Sequence, residues 1–288
     1  MIHTLAQIIV RVGPILVVAL AIILVFRRQI GVALEWLDGH PTILRFVAVA
    51  AGIAAWELYG RWIHSSIFTY PSAISRALVD LTRTGELFYY MKSSAVVLSL
   101  GFVLAIVIGV PLGILIGRRT LIEHAVDPYI NALYATPTVA LIPVIVLWLG
   151  FQTLAKVVLV FLFCVFPILI NTYQGVKNTD PKLVEVARSF CAREWALWRD
   201  LIFPSSMPFI LAGVRLAIGR GLVGMVVAEF YTTITGLGYM IVQYANTFRM
   251  DRLFVPIVVL MAMGMGLTSL LRYMEHRVAP WLHVAKEE

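Results

Sequence analysis

Asn178-Thr-Asp-Pro-Lys-Leu-Val-Glu-Val-Ala-Arg-Ser-Phe-Cys-Ala-Arg-Glu-Trp195, continuing through Arg199-Asp-Leu-Ile-Phe-Pro204, is a polar stretch set between two apolar ones. Asp180-Pro181 reads as a helix start, with aspartate as the N-cap and the preset φ of proline at the first helical position. From there Leu183, Val186, Ala187 and Phe190 recur at i, i+3, i+4 and i+7, which predicts one apolar helical face with Glu185, Arg188 and Ser189 elsewhere. A break near Cys191-Ala192 precedes a second short helix carrying Trp195, Trp198, Leu201 and Ile202, which Pro204 is expected to end. The stretch therefore predicts two short helices at an angle, joined to the apolar segments on both sides. An apolar stripe in water must be covered by a partner.

Almost everything outside this stretch is suited to lipid. The 288 residues are 60% hydrophobic and only 14% charged, with a mean hydropathy of +0.89; a soluble domain carries about 25% charged residues. Apolar runs of about 20 residues recur along the chain, so the fold class is an all-α polytopic transmembrane bundle, and the bilayer is the first expected partner. The net charge of +7 is read as Lys and Arg flanking helices on the cytoplasmic side, not as a nucleic-acid surface, because no RNP or zinc-finger pattern accompanies it. Neither the two cysteines nor the six histidines fall at metal-ligand spacing, so no metal site is assigned. No charged n-region with a cleavage site opens the chain, and no removable signal peptide is expected.

Seven spans are expected. The first, about Leu5–Phe26, is closed by Arg27-Arg28 and forms with its cytoplasmic link a segment 1–42. The second, about Ile43–Tyr59, ends near the interfacial aromatics Trp56, Tyr59 and Trp62. Tyr70–Lys92 is a non-spanning amphipathic segment, with Ser72 as candidate N-cap and Ile74, Ala77, Leu78 and Leu81 on one face. The third span, Ser93–Gly117, carries Gly101, Ala105, Gly109, Gly113 and Gly117 at four-residue spacing, a stripe that lets helix backbones approach closely, either as a fixed or as a moving contact. The fourth, Asp127–Gly150, is broken by Pro137 and Pro143. Irregular backbone at membrane depth is tolerated where it is buried in protein or lines a cavity. Thr136, Pro137, Thr138 and Pro143 are thus candidates for lining a path, against a plainly kinked helix. Leu154–Tyr173, Met207–Phe230 and Leu253–Leu271 follow, separated by the polar stretch and by a mixed loop, Thr232–Arg252. Putting the polar stretch inside the cell puts more of the basic residues inside than out and the N-terminus outside.

Further residues carry a resemblance. Glu185-Val-Ala187, Cys191 and Leu201-Ile-Phe-Pro204 resemble, in spacing throughout, the EAA signature of ABC-importer permeases: Glu-Ala-Ala, three residues, Gly, nine residues, Ile-x-Leu-Pro. Thr136-Pro137, Leu141-Ile-Pro143, Trp148-Leu-Gly150, Tyr70-Pro71-Ser72, Gly213-Val-Arg215-Leu, Gly219-Arg220, Ala228-Glu229, Gly236-Leu-Gly238 and Asp251-Arg252 resemble motifs of the nitrate/sulfonate/taurine-type branch over about residues 66–280. Val186 stands where the signature has alanine and Cys191 where it has glycine. If that turn needs a positive φ, a non-glycine residue costs roughly 1–2 kcal/mol there.

The resemblance implies a type I ABC-importer permease fold, a six-span core plus the extra N-terminal span, with a permease domain at 43–280 and a cytoplasmic tail at 281–288. It implies ATPase coupling through Val184, Glu185, Val186, Ala187, Arg188, Ser189, Cys191, Ala192 and Arg193. It further implies a cytoplasmic ATPase dimer, a second permease copy and an external binding protein as partners. No Gly-x4-Gly-Lys-Ser/Thr loop is present, so ATP and Mg²⁺ belong to another subunit and no cofactor is expected on this chain. Small anions such as nitrate, sulfonates, taurine or bicarbonate are the expected cargo, with neutral pyrimidine or flavin precursors as the alternative.

Charged residues inside spans are functional candidates: Arg215, and with the broken span Arg220 and Glu229 as members of the translocation path. The competing role is to tie helices together. Cys164 has no histidine at membrane depth and Glu229 is a single acid, so no catalytic residue is assigned. A passive anchor for a cytoplasmic protein is the other rival, and intramembrane charges with a broken span argue against it.

Overall fold

The structure is a computed structural model and describes residues 41–63, 67–232 and 235–278. The expected first span and the 281–288 tail lie outside these residues. The chain divides into a unit 1–64 and a unit 65–288. In the first, α1 (Pro41–Ile63) is apolar nearly all round and long enough to cross a bilayer. Arg61 donates to Glu57 one turn earlier, 2.6 Å away, and Tyr59 stacks near Trp62.

The second unit begins with α2 (Pro71–Arg83), which buries Ile74, Ala77 and Leu81, as the periodicity predicts. Its N-cap is Tyr70 rather than Ser72. Pro71 occupies the first helical position, so Ser72 already lies inside the helix and its carbonyl accepts from Ser75 Oγ at 3.0 Å. Gly85, at φ 77°, turns the chain into α3 (Glu86–Arg118), one helix of 33 residues that starts a full two turns before the expected span and runs past Pro111. Arg119 alone, in extended conformation, separates α3 from α4 (Thr120–Ala135). A 3₁₀ turn, Thr138–Leu141, leads into α5 (Ile142–Leu149), and α4 and the 138–149 segment meet at 83°.

Then come α6 (Thr153–Lys177), α7 (Pro181–Ser189), α8 (Glu194–Leu197), α9 (Phe203–Thr232), α10 (Leu237–Asn246) and α11 (Met250–Val278). Five described helices are long and apolar enough to span, and the bent α4–α5 pair, taken as one broken span, brings the number to six. That matches the second to seventh expected spans. The mixed loop resolves into α10, whose Leu237 and Met240 are fully buried. No strand occurs among the described residues.

The centre is α6, with α3 and α9 packed along it. Val160, Cys164, Ile168, Ala217, Met225, Ala105 and Val97 form the core between them. The glycine stripe faces α6: a Cβ on Gly113 would stand 2.6 Å from Thr172 Cβ and 2.8 Å from the Leu169 carbonyl, and one on Gly117 2.7 Å from Val176 Cβ. These distances leave no room for a methyl group, so the stripe is a close backbone contact.

Gly113→Ala should therefore destabilise the bundle by roughly 1–3 kcal/mol through overpacking. Gly266→Ala, where a Cβ meets nothing within 4 Å, should not. Denaturant unfolding of both variants in detergent checks the pair.

Candidate functional site

Three groups of residues stand out: the 178–204 loop at one end of the bundle, the break between α4 and α5, and a polar cluster at the end of α9 away from that loop.

In the loop, Asp180 caps α7 as its residue type predicts, Oδ1 accepting from Lys182 N at 2.9 Å with Pro181 next in line. The helix ends in a paired turn: Cys191 N donates to Arg188 O at 2.9 Å, and Ala192 N reaches back to Ala187 O at 3.1 Å. This is the Schellman geometry, whose pivot residue sits in the left-handed region. The pivot is Cys191, exposed, at φ 58°. The turn does need a positive φ: it keeps the shape glycine would give, and Cys191 bears the strain.

Past the turn, α8 does not stop at Pro204. It passes through a π-type turn, Trp198–Ile202, and continues as α9 in one helix from Glu194 to Thr232. Proline cannot donate to the carbonyl four residues back. The widened turn, with Phe203 N bonded to Trp198 O, shifts the ladder by one residue just before Pro204 and accommodates the loss.

Val184 and Ala187 of α7 pack on Val176, Leu197 and Ile202. Leu183, Val186 and Phe190 stay 50%, 54% and 83% exposed, with Trp195 at 74%. The predicted single apolar face is thus divided, Ala187 turning inward and the other three outward. Glu185, Arg188, Ser189, Ala192 and Arg193 are exposed. The loop is braced from the neighbouring helices. Arg118 at the end of α3 lies 3.4 Å from Glu194 and 5.3 Å over the Trp198 ring. Lys177 at the end of α6 pairs with Glu123 of α4 at 2.5 Å.

At the α4–α5 break, Thr136 bonds its hydroxyl to Ala132 O at 2.8 Å and takes an extended conformation before Pro137. Thr136, Pro137 and Thr138 line a cavity of about 380 Å³ together with Tyr134, Gly219 and Arg220. Arg220 Nη2 donates to Tyr134 Oη at 2.7 Å, and the guanidinium lies 4.6 Å from that ring's centroid. A fixed positive charge, three hydroxyls and an irregular backbone thus share one half-open space at mid-span.

Two of the expected path residues are elsewhere. Pro143 sits in the first turn of α5, where its missing N–H is not needed, and so does not break the helix a second time. Glu229 is fully buried at the end of α9. Its carboxylate accepts from Ser94 Oγ at 2.7 Å and Gly238 N at 2.8 Å, while Ser94 Oγ also accepts from Leu237 N. A Cβ on Gly236 would fall 2.1 Å from the Glu229 carboxylate, so only glycine fits there, and its φ of 120° points the same way. Lys156 is 2% exposed and donates to Thr235 O at 2.7 Å. The cluster pins the 235–238 turn against α3, α6 and α9. Arg215 is likewise a tie, pairing with Glu275 of α11.

On the same side, Arg252 pairs with Asp80 of α2 at 2.5 Å, and Tyr244 donates to Glu86 at 2.8 Å. Burial, then the Glu86 contact, push Tyr244 up to about 12, so it stays a neutral donor throughout the physiological range. Tyr134, Ser94, Lys156 and Thr235 carried no sequence signal, since none belongs to a spacing pattern. A polar residue beside a charged motif was the only available cue.

Residues 109–280 match the family described as binding-protein-dependent transport system inner membrane component. A permease protein named for aliphatic sulfonate transport, SsuC of Bacillus subtilis (strain 168), is 32% identical over 80% of this chain and 84% of its own. The formylaminopyrimidine transport permease protein ThiX of Halalkalibacterium halodurans is 30% identical over 78% of this chain and 90% of its own. In structure, the chain shares its fold with a chain of the MetNI methionine ABC transporter in inward-facing form. The TM-score is 0.53 at 16% identity, over 65% of this chain and 92% of that one.

Two substitutions test the geometry. Cys191→Gly should stabilise the loop by roughly 1 kcal/mol by relieving the left-handed pivot, read as slower hydrogen exchange at 187–192. Glu229→Ala strands the Gly238 N–H and should cost roughly 1–3 kcal/mol, with exchange rising at 235–240.

Proposed function

From the premise that this chain belongs to the binding-protein-dependent transport system inner membrane component family, and is a multi-pass inner-membrane permease subunit of an ABC importer, we propose that α7 and its Schellman turn receive the stroke of a separate cytoplasmic ATPase dimer. The observation that carries this reading is the outward apolar patch of Leu183, Val186 and Phe190 on a short capped helix held between two spanning helices. Apolar surface of this kind in water calls for a protein cover. Glu185, Arg188, Ser189, Cys191, Ala192 and Arg193 surround it, whereas Val184 and Ala187 fasten it to the bundle. ATP and Mg²⁺ sit on the ATPase, and this chain supplies no nucleotide chemistry.

Force applied at the loop has two rigid exits. One is α6, braced by Lys177–Glu123; the other is the unbroken helix from Glu194 to Thr232. Both reach the break at Thr136–Thr138 and the pinned 235–238 turn. Tilting such packed helices is the familiar way in which a local push opens one side of a bundle and closes the other.

The cavity at the break serves as the translocation path in this proposal. A guanidinium with two threonine hydroxyls favours a small anion, and the sulfonate name of one relative supports that choice. The formylaminopyrimidine name of another keeps a neutral cargo as the second reading. A second permease copy completes the path, and an external binding protein delivers the cargo.

Glu185→Lys should abolish cargo-stimulated ATPase activity of the reconstituted complex while the melting profile of the permease stays intact. Survival of both stimulation and ATPase binding would sink the coupling assignment. Arg220→Gln should lower uptake of an anionic cargo about tenfold or more, as loss of a charge-assisted contact does, without changing basal ATP hydrolysis. Unaltered uptake removes Arg220 from the path.

A further inference from the structure

A second cavity, about 560 Å³, lies between the end of α3 and the inward side of α7. We propose that it binds a phosphate group, carried by the headgroup of an anionic phospholipid. Five charged side chains line it: Arg118, Arg119, Arg188, Glu185 and Glu194. Arg118 is engaged with Glu194 and Trp198. Arg119 and Arg188 make no ion pair or side-chain hydrogen bond among the described residues. A third donor is Thr179. It is only 8% exposed, it lines the cavity, and its Oγ1 has no partner. A buried hydroxyl without a partner costs about 1–3 kcal/mol, and a ligand oxygen would remove that cost.

Two open guanidiniums and a hydroxyl suit the oxygens of a phosphate. The net charge separates phosphate species. Three arginines against two glutamates leave one positive charge, which matches a monoanionic phosphodiester better than a free phosphate dianion. Location argues the same way. The cavity opens where the spanning helices α3 and α6 end, beside Trp198, an interfacial residue type. Basic pockets at this level between spanning helices suit anionic headgroups. Val176 and Ile202 give the cavity an apolar flank for the glycerol and first methylenes.

The α7 residues lining this cavity are Pro181, Val184, Glu185 and Arg188, whereas the outward patch is Leu183, Val186 and Phe190. The lipid therefore meets α7 on its Pro181 and Val184 side and the ATPase on its Leu183, Val186 and Phe190 side, with Glu185 and Arg188 at the boundary between them. Binding does not depend on the coupling proposal. Only its consequence does: a headgroup bridging Arg119 of α3 to Arg188 of α7 would stiffen the loop through which force enters.

The full chain is placed in nanodiscs of phosphatidylcholine, of phosphatidylcholine with phosphatidylglycerol, and of phosphatidylcholine with inorganic phosphate added. Melting temperature and native mass spectra are recorded. Phosphatidylglycerol should raise the melting temperature and stay bound, and Arg119→Gln should weaken retention about tenfold or more. Thr179→Val should lose the phosphatidylglycerol shift while melting no lower than wild type in phosphatidylcholine alone, because the unpaired hydroxyl is gone. Stabilisation by inorganic phosphate, lost in the same variants, would keep the phosphate site and replace the lipid by a soluble ligand. No shift with either probe, or a phosphatidylglycerol shift unchanged in both variants, overturns the proposal. So does displacement of the lipid by the cytoplasmic ATPase, which would assign the two arginines to a partner carboxylate. Each of these readouts is free of transport, so a failed coupling assignment leaves the result interpretable.

Discussion

The backbone-to-backbone contact of α3 with α6 is the constraint on which the rest depends. In lipid, apolar side chains gain little by meeting one another, and helices associate where close approach permits dense packing and polar ties. Gly101, Gly113 and Gly117 provide that approach against Val160, Thr172 and Val176. Along an adjoining flank of α6, Gly213, Gly221 and Gly224 do the same for α9. With both neighbours seated on α6, the loop ends of three spans converge within reach of one another, and the 178–204 stretch is clamped by Arg118 and Lys177 rather than hanging free.

Polar residues then act as local fasteners in a medium without water. Glu229, Ser94 and the 235–238 turn satisfy each other, Lys156 takes the Thr235 carbonyl, and Arg215 takes Glu275. Arg220 is different. Its partner, Tyr134, is neutral and the pair borders open space. Charge neutralised by its surroundings does structural duty, whereas charge facing a cavity is available to a solute. The distinction separates Glu229 from Arg220, which the sequence placed in the same class.

The second to seventh spans, the amphipathic α2, the Asp180-Pro181 start and the bend at Cys191 were legible because each follows from periodicity or from a local backbone rule that needs no distant partner. Misreadings fell at Pro143 and Pro204, although four prolines show how varied the outcome is. Pro137 breaks a helix, Pro143 opens one, Pro204 is bypassed by a π-type turn, and Pro111 is carried inside α3. A proline reports only a missing donor; whether the chain breaks, starts or widens there is decided by tertiary context. Ser72 was misassigned for the same reason. Partners such as Tyr134 for Arg220 lie 86 residues away in the chain, and no spacing rule reaches that far.

The ties of α9 also set an order of assembly. As this helix leaves the insertion machinery it carries Arg215, Arg220 and Glu229, each costing about 2.5–3.5 kcal/mol near the centre of a bilayer on insertion scales. Ser94 belongs to a helix made earlier, so Glu229 finds one donor at once, and the second, Gly238 N, follows nine residues later. Glu275, the partner of Arg215, lies in α11 and has yet to be synthesised. Until then α9 rests on its apolar residues and on α6 alone. Biogenesis of the bundle is thus completed from its C-terminal helix, and a ribosome stalled between 232 and 275 would leave a permease held at one end only.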